Sequence, residues 1–226
     1  MDFPNAYNGI RKLIFSEYFQ ITSAVLAIIL SLFFQAGLEV TSFGSLFGAA
    51  PLVNAFIIIA VVLWAAILII SLVAAIMSMI GLSRSSKDEP KFLKTAFILS
   101  IILPIVSFIN SFLLFLFPFG YGVIQIIINI GNAAIFIFVV TGFGKLAKQL
   151  ESGDVRTFGT VVLIIQILSL ILGSVQSYSV GIALKYNAAS LIKEAMILSV
   201  AASIFSLAAY IIYLVYLNKC RAMLEN

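Results

Sequence analysis

Three amides, Gln125, Asn129 and Asn132, stand at i, i+4 and i+7 in a stretch otherwise built mainly from Ile, Val, Phe, Gly and Ala. That spacing sets them on one helical face. An uncharged amide offers two N–H donors and a carbonyl acceptor, so the chemistry available here is recognition by hydrogen bonding. Two neighbouring stretches repeat the pattern. Gln166, Ser169, Gly173 and Gln176 form a second polar stripe, and Ser100, Pro104, Ser107 and Ser111, with Asn110 beside them, form a third. Pro104 also frees a backbone carbonyl by withholding its own N–H. A bare amide facing hydrocarbon costs several kcal/mol, so these stripes must face one another or a cavity. The expected candidate site is a neutral polar pocket lined by Asn110, Gln125, Asn129, Asn132, Gln166 and Gln176, suited to a neutral or amphiphilic solute. The competing use of the same residues is interhelical hydrogen bonding, at about 0.6 kcal/mol per bond.

Residues for bond-making chemistry are scarce. The chain has no His, which removes His-based metal sites, general bases and Ser-His triads. Cys220, between Lys219 and Arg221 with Cys absent elsewhere, reads as a free thiol. Gly142-x-Gly144-x-x-Ala147 loosely matches a dinucleotide fingerprint but closes a membrane helix instead of following a strand, and no phosphate-cradling Gly-x-x-x-x-Gly-Lys-[Ser/Thr] occurs. Asp88-Glu89 and Glu151-x-x-Asp154 sit among basic residues and read as solvated loop acids. No enzyme, metal or cofactor is expected. No formal charge falls deep inside an apolar run, where it would cost about 2.5–3.5 kcal/mol and mark a proton or ion relay.

The elements that carry these stripes are membrane helices. Of 226 residues, 63% are hydrophobic and 10% charged, against about 45–50% and about 25% in soluble domains. Charge-free runs cover 18–38, 40–83, 95–144, 157–184 and 195–218, each long enough to span a bilayer. They are apolar on every side, unlike the alternating strands of a barrel. The run 95–144 would extend about 75 Å as one helix, against a hydrocarbon core of about 30 Å. The Phe117-Pro118-Phe119-Gly120-Tyr121-Gly122 cluster therefore predicts a hairpin turn.

The predicted fold class is all-α: a polytopic integral membrane bundle of about six transmembrane helices, as a single domain over 1–226. Spans are expected at 18–38, 52–81, 95–117, 121–143, 158–178 and 195–217. Residues 1–17 are read as a cytoplasmic or interfacial segment, with Ile10, Leu13 and Ile14 on one side and Arg11, Lys12 and Ser16 on another. Residues 178–194 are expected to form a loop or an interfacial helix. With both termini cytoplasmic, only Lys185 and Lys193 of the thirteen basic residues lie outside, as the positive-inside rule prefers. Tyr210, Tyr213 and Tyr216 are expected at headgroup depth on the inner side, and Phe112, Phe115, Phe117, Phe119 and Tyr121 on the outer.

The two inner connectors resemble each other at an offset of 62, pairing Glu89 with Glu151 and Lys94 with Arg156, which reads either as an internal repeat or as the Lys, Arg and Glu that any inner loop collects. Small-residue rows, Ser71 and Ala75 in span two and Ala195, Ser199 and Ser203 in span six, predict close helix packing or a partner face. The function expected is a membrane-embedded binding or transport subunit. It would work passively, or be driven by a cytoplasmic ATPase docked on connectors 82–94 and 145–156. The alternative is a non-catalytic interaction, assembly, regulatory or protective subunit that binds another membrane protein. Partners expected are the lipid bilayer, a partner membrane protein or ATPase, and a second copy in a homo-oligomer, with no nucleic acid. The expected setting is a bacterial or archaeal plasma membrane.

Overall fold

In a computed structural model, residues 3–47, 50–116, 118–186 and 189–225 are described. They form six helices: α1 (Pro4–Phe47), α2 (Ala50–Ser85), α3 (Phe92–Leu116), α4 (Pro118–Gln149), α5 (Gly153–Tyr186) and α6 (Ala189–Glu225). Each holds a segment long and apolar enough to cross a membrane. Each helix packs on the next in sequence and α6 returns to α1, so the six form a closed circuit. α3 and α4 pack as the expected hairpin, with Phe117 of the turn outside the described residues.

Several elements run further than the sequence pattern suggested. α1 begins at Pro4 and continues unbroken through residues 4–17 into the expected first span. Residues 178–186 and 189–194 prolong α5 and α6 instead of forming a loop. In hydrocarbon only continued helix satisfies backbone N–H and C=O groups, so long helices are the economical solution.

All six helices contribute to one core, and it lies at the end of the bundle that carries both termini and the two polar connectors. Ile10, Leu82, Leu93, Phe143, Val155 and Tyr216 represent the six helices within it. The Tyr7 hydroxyl approaches Glu225 Oε1 at 3.4 Å, so the chain's two ends meet. Tyr213 and Tyr216, expected at headgroup depth, are buried in this core. Their rings face inward: Tyr213 packs edge-on against Phe136, and Tyr216 donates a hydrogen bond to the Val140 carbonyl at 3.3 Å. To reach α4 from α6, Tyr216 passes over Gly159 of α5, where an added Cβ would stand 3.0 Å from Val140 Cγ1. The Phe112 to Tyr121 side chains lie outside the described residues.

Of the connector acids, Glu151 and Asp154 are exposed, whereas Asp88 and Glu89 are engaged by the helices beside them. Asp88 binds the start of α1, accepting from Asn5 Nδ2 at 2.8 Å and from the Ala6 N–H at 2.7 Å. Glu89 is buried, caps α3 by accepting from the Phe92 and Leu93 N–H groups at 2.6 and 3.1 Å, and pairs with Lys145 at 3.4 Å. These are the orphan donors of a helix start, and a carboxylate there also complements the helix dipole. Glu151, its counterpart at the offset of 62, instead ends α4 with φ of 54° and is exposed. The two connectors therefore use their matched acids differently.

α1 and α2 run antiparallel in close contact along small residues. Ser23 and Ser71 hydroxyls meet at 2.9 Å, Ser16 donates to the Ala74 carbonyl at 2.8 Å, and Gly9 lies against Gly81 and Ser85. A Cβ on Gly9 would stand 2.5 Å from the Gly81 carbonyl oxygen and 2.9 Å from the Ser85 nitrogen, which are backbone atoms that cannot rotate away.

Two outcomes follow for stability, measured as the midpoint of thermal unfolding in mild detergent. Gly9→Val should lower it by the equivalent of about 1–3 kcal/mol of overpacking. Glu89→Ala should cost about 0.5–2 kcal/mol through the lost cap. Lys145→Ala should cost less, because that lysine is 48% exposed and its share of the pair is screened.

Candidate functional site

The polar stripes converge between α4, α5 and α6. A recess of about 270 Å³ is lined by Gln125, Asn129 and Asn132 of α4, Gln166, Ser169, Gly173 and Gln176 of α5, and Ser206 and Tyr210 of α6, with Phe136 and Ala209 among its apolar walls. Five of the six predicted amides thus border one space. Asn110 is the sixth. It is 1% exposed on α3 and reaches the recess indirectly, donating from Nδ2 to Gln125 Oε1 at 3.2 Å. Ser100 of the α3 stripe donates to the Phe97 carbonyl within its own helix.

The amides are ordered as a chain. Asn110 donates to Gln125, and Gln125 Nε2 donates to Asn129 Oδ1 at 3.3 Å. With its carbonyl occupied, Asn129 is left presenting its NH₂ end across from Gly173, where a Cβ would stand 3.5 Å from Nδ2. Glycine at that position keeps α5 from filling the space. Gln166 is 8% exposed, and its Nε2 has no hydrogen-bond partner among the described residues. Asn132 is exposed, so the recess opens on its side. The rim is closed toward α6 by Gln176, whose Nε2 donates to Ser199 Oγ at 3.1 Å.

Of the residues expected for helix packing or a partner face, Ser71, Ala195 and Ser199 make contacts within the chain. Ser71 meets Ser23, Ser199 receives Gln176 and donates to the Ala195 carbonyl, and Ala195 itself is buried. Ala75 and Ser203 are half-buried. Among the described residues no group of His, Cys, Asp and Glu is placed to hold a metal ion.

One residue of the site region escaped the sequence reading. Glu17 is 7% exposed on α1, one residue before its charge-free run, and its Oε2 has no hydrogen-bond partner among the described residues. Tyr210, which lines the recess, and Tyr213 both lie within electrostatic range of it. The sequence pattern places it just outside the first span and does not foresee its burial in the bundle. Its signal was phase: Ile10, Leu13, Ile14 and Glu17 fall at i, i+3, i+4 and i+7, one face of the helix.

Comparison with protein-family models, with curated proteins and with solved structures gave no match. What the geometry defines is a class, a helical membrane protein with an amide-lined recess among three of its six helices.

Cys220 bears on how this site is studied. It is fully buried in the core, so the thiol should resist maleimide in the folded protein and react only after denaturation. Mass spectrometry before and after denaturant reads this directly; rapid labelling of the native protein would contradict its burial.

Proposed function

We propose that this protein is a membrane-embedded binding or transport subunit for a neutral or amphiphilic solute, with its termini and connectors on the cytoplasmic side of a bacterial or archaeal plasma membrane. The observation that carries the reading is Gln166. If the amides served only to tie helices together, each buried donor would be expected to have a partner, since an unsatisfied one costs about 1–3 kcal/mol. Gln166 borders the recess with its nitrogen unpartnered, and Asn129 presents its own NH₂ end to the same space. Amide side chains bordering one recess suit a guest with a carbonyl, hydroxyl or ether oxygen.

The size of the recess is consistent with this. At about 270 Å³ it falls just below the usual range for small-molecule sites, about 300–1,000 Å³. A small polar head fits, with any apolar tail leaving past Asn132. Movement through the bundle is either passive or driven by a partner docked on the connectors. Their basic residues Arg84, Lys87, Lys148 and Arg156 are exposed for such an encounter.

The test begins with the wild-type protein in liposomes and a panel of uncharged amphiphiles bearing hydroxyl or carbonyl heads. At least one should raise the unfolding midpoint. Asn129→Leu and Gln125→Leu, verified as helical by circular dichroism, should lose that response; if both retain it in full, the pocket reading fails. Independently, Ser169→Cys in the recess should react with a small permeant maleimide against the silent Cys220 background, and an inert Ser169→Cys would mean that the space is closed.

A further inference from the structure

We infer that Glu17 is a proton-binding site of the bundle, a carboxyl group held in the protein interior that takes up and releases a proton toward the connector end. The inference stands on burial, lack of partners and position, and does not require the recess to bind a solute.

Glu17 has lost nearly all contact with the surface, and its Oε2 finds no donor among the described residues. An ionised carboxylate in that condition would be uncompensated. Isolated buried charge is so costly that the group neutralises instead, which for a carboxyl means holding a proton. The packing elements offer no cation to change this balance. α1 packs on α2 and α6. α2 has no titratable residue from Ile58 to Ser83, the first being Arg84 at its exposed end. α6 brings Tyr210 and Tyr213 within electrostatic range, both neutral phenols, while Lys219 lies further toward the exposed connector end. On α1 itself the nearest basic residue is Lys12, five residues earlier, about 8 Å along the axis.

That geometry places the carboxyl between two environments. Toward the connectors stand Lys12 and Arg11 at the bundle's basic end. Away from them stands Tyr210, which has its ring in the wall of the amide recess. Ionisation sends one proton to water at the connector end and leaves one negative charge beside Tyr210; uptake reverses both. No other described acidic residue combines burial with an unpartnered oxygen: Glu89, also buried, has its cap and its lysine. A bundle that carries such a group holds the element a proton-linked process needs, with no nucleotide-driven partner required.

The experiment uses the full chain in liposomes and N,N′-dicyclohexylcarbodiimide, a reagent specific for protonated carboxyls in apolar surroundings. The reagent takes the carboxyl proton on nitrogen and the carboxyl oxygen on its central carbon, adding whole with no leaving group. At neutral pH the adduct mapped by mass spectrometry should sit on Glu17, with the other eight of the nine acids unmodified. Glu17→Gln should lose it and Glu17→Asp should keep it. Infrared spectra of the unlabelled wild-type protein supply a second readout that needs no variant to fold. A protonated-acid carbonyl band should be present at neutral pH and shift in D₂O, which reports that the proton is exchangeable. Labelling spread over the connector acids with Glu17 spared, or absence of the carbonyl band, would overturn the inference, as would a band that never exchanges.

Discussion

The constraint on which this bundle depends is that hydrocarbon offers its polar groups no partner. Each hydroxyl, amide and carboxylate must find one inside the protein. Most of the visible architecture answers that demand. Serines of α1 and α2 bond across the helix pair or back onto their own turns, Gln176 crosses to Ser199, and Asn110, Gln125 and Asn129 hand one hydrogen bond to the next. Where the demand is met the helices are tied together. Where it is left open, at Gln166, Glu17 and the Ser85 hydroxyl, the protein holds polar groups that packing alone does not explain.

The two ends of the polar system rest on different physics. At the connector end, a continuous apolar core from all six helices is reinforced by charge: Asp88 fixes the start of α1, and Glu89 joins the start of α3 to the end of α4 through Lys145. Lys145 also lies 4.2 Å above the Phe92 ring centre, so the same cation serves a carboxylate and an aromatic face. Deeper in the bundle the contacts are uncharged amides and small side chains, individually weak. Charged and apolar contacts are concentrated at one end and amides in the middle.

Much of this was legible in the sequence because it follows from period and composition. Charge-free runs located the helices, and the amide spacings chose residues that border one recess, since a 3.6-residue period fixes a face without knowledge of the neighbour. Three things were not legible in that way. Glu17 lies one residue before a charge-free run, so counting charges placed it at the boundary, while its helical phase placed it with the apolar face of α1. Asp88 and Glu89 read as loop acids because a cap is recognised by the N–H groups it meets, and those belong to helices whose starts were not fixed. Tyr213 and Tyr216 carried an aromatic-belt signature, but whether a ring faces lipid or protein depends on which helix stands opposite.

The tyrosine of α6 that crosses Gly159 to hold the carbonyl of Val140 has a mechanical consequence. It pins three helices at one level, and those same three, α4, α5 and α6, form the walls of the recess further along. Rods fastened together near one end can separate only by pivoting there, so any widening grows with distance from the fastening. The Gln125 level, about 22 Å along α4 from Val140 at 1.5 Å per residue, moves most for a given tilt, and the Tyr210 level moves least. The recess is thus the working part of a lever, and the absent side chain at Gly159 is what lets its fulcrum be so narrow.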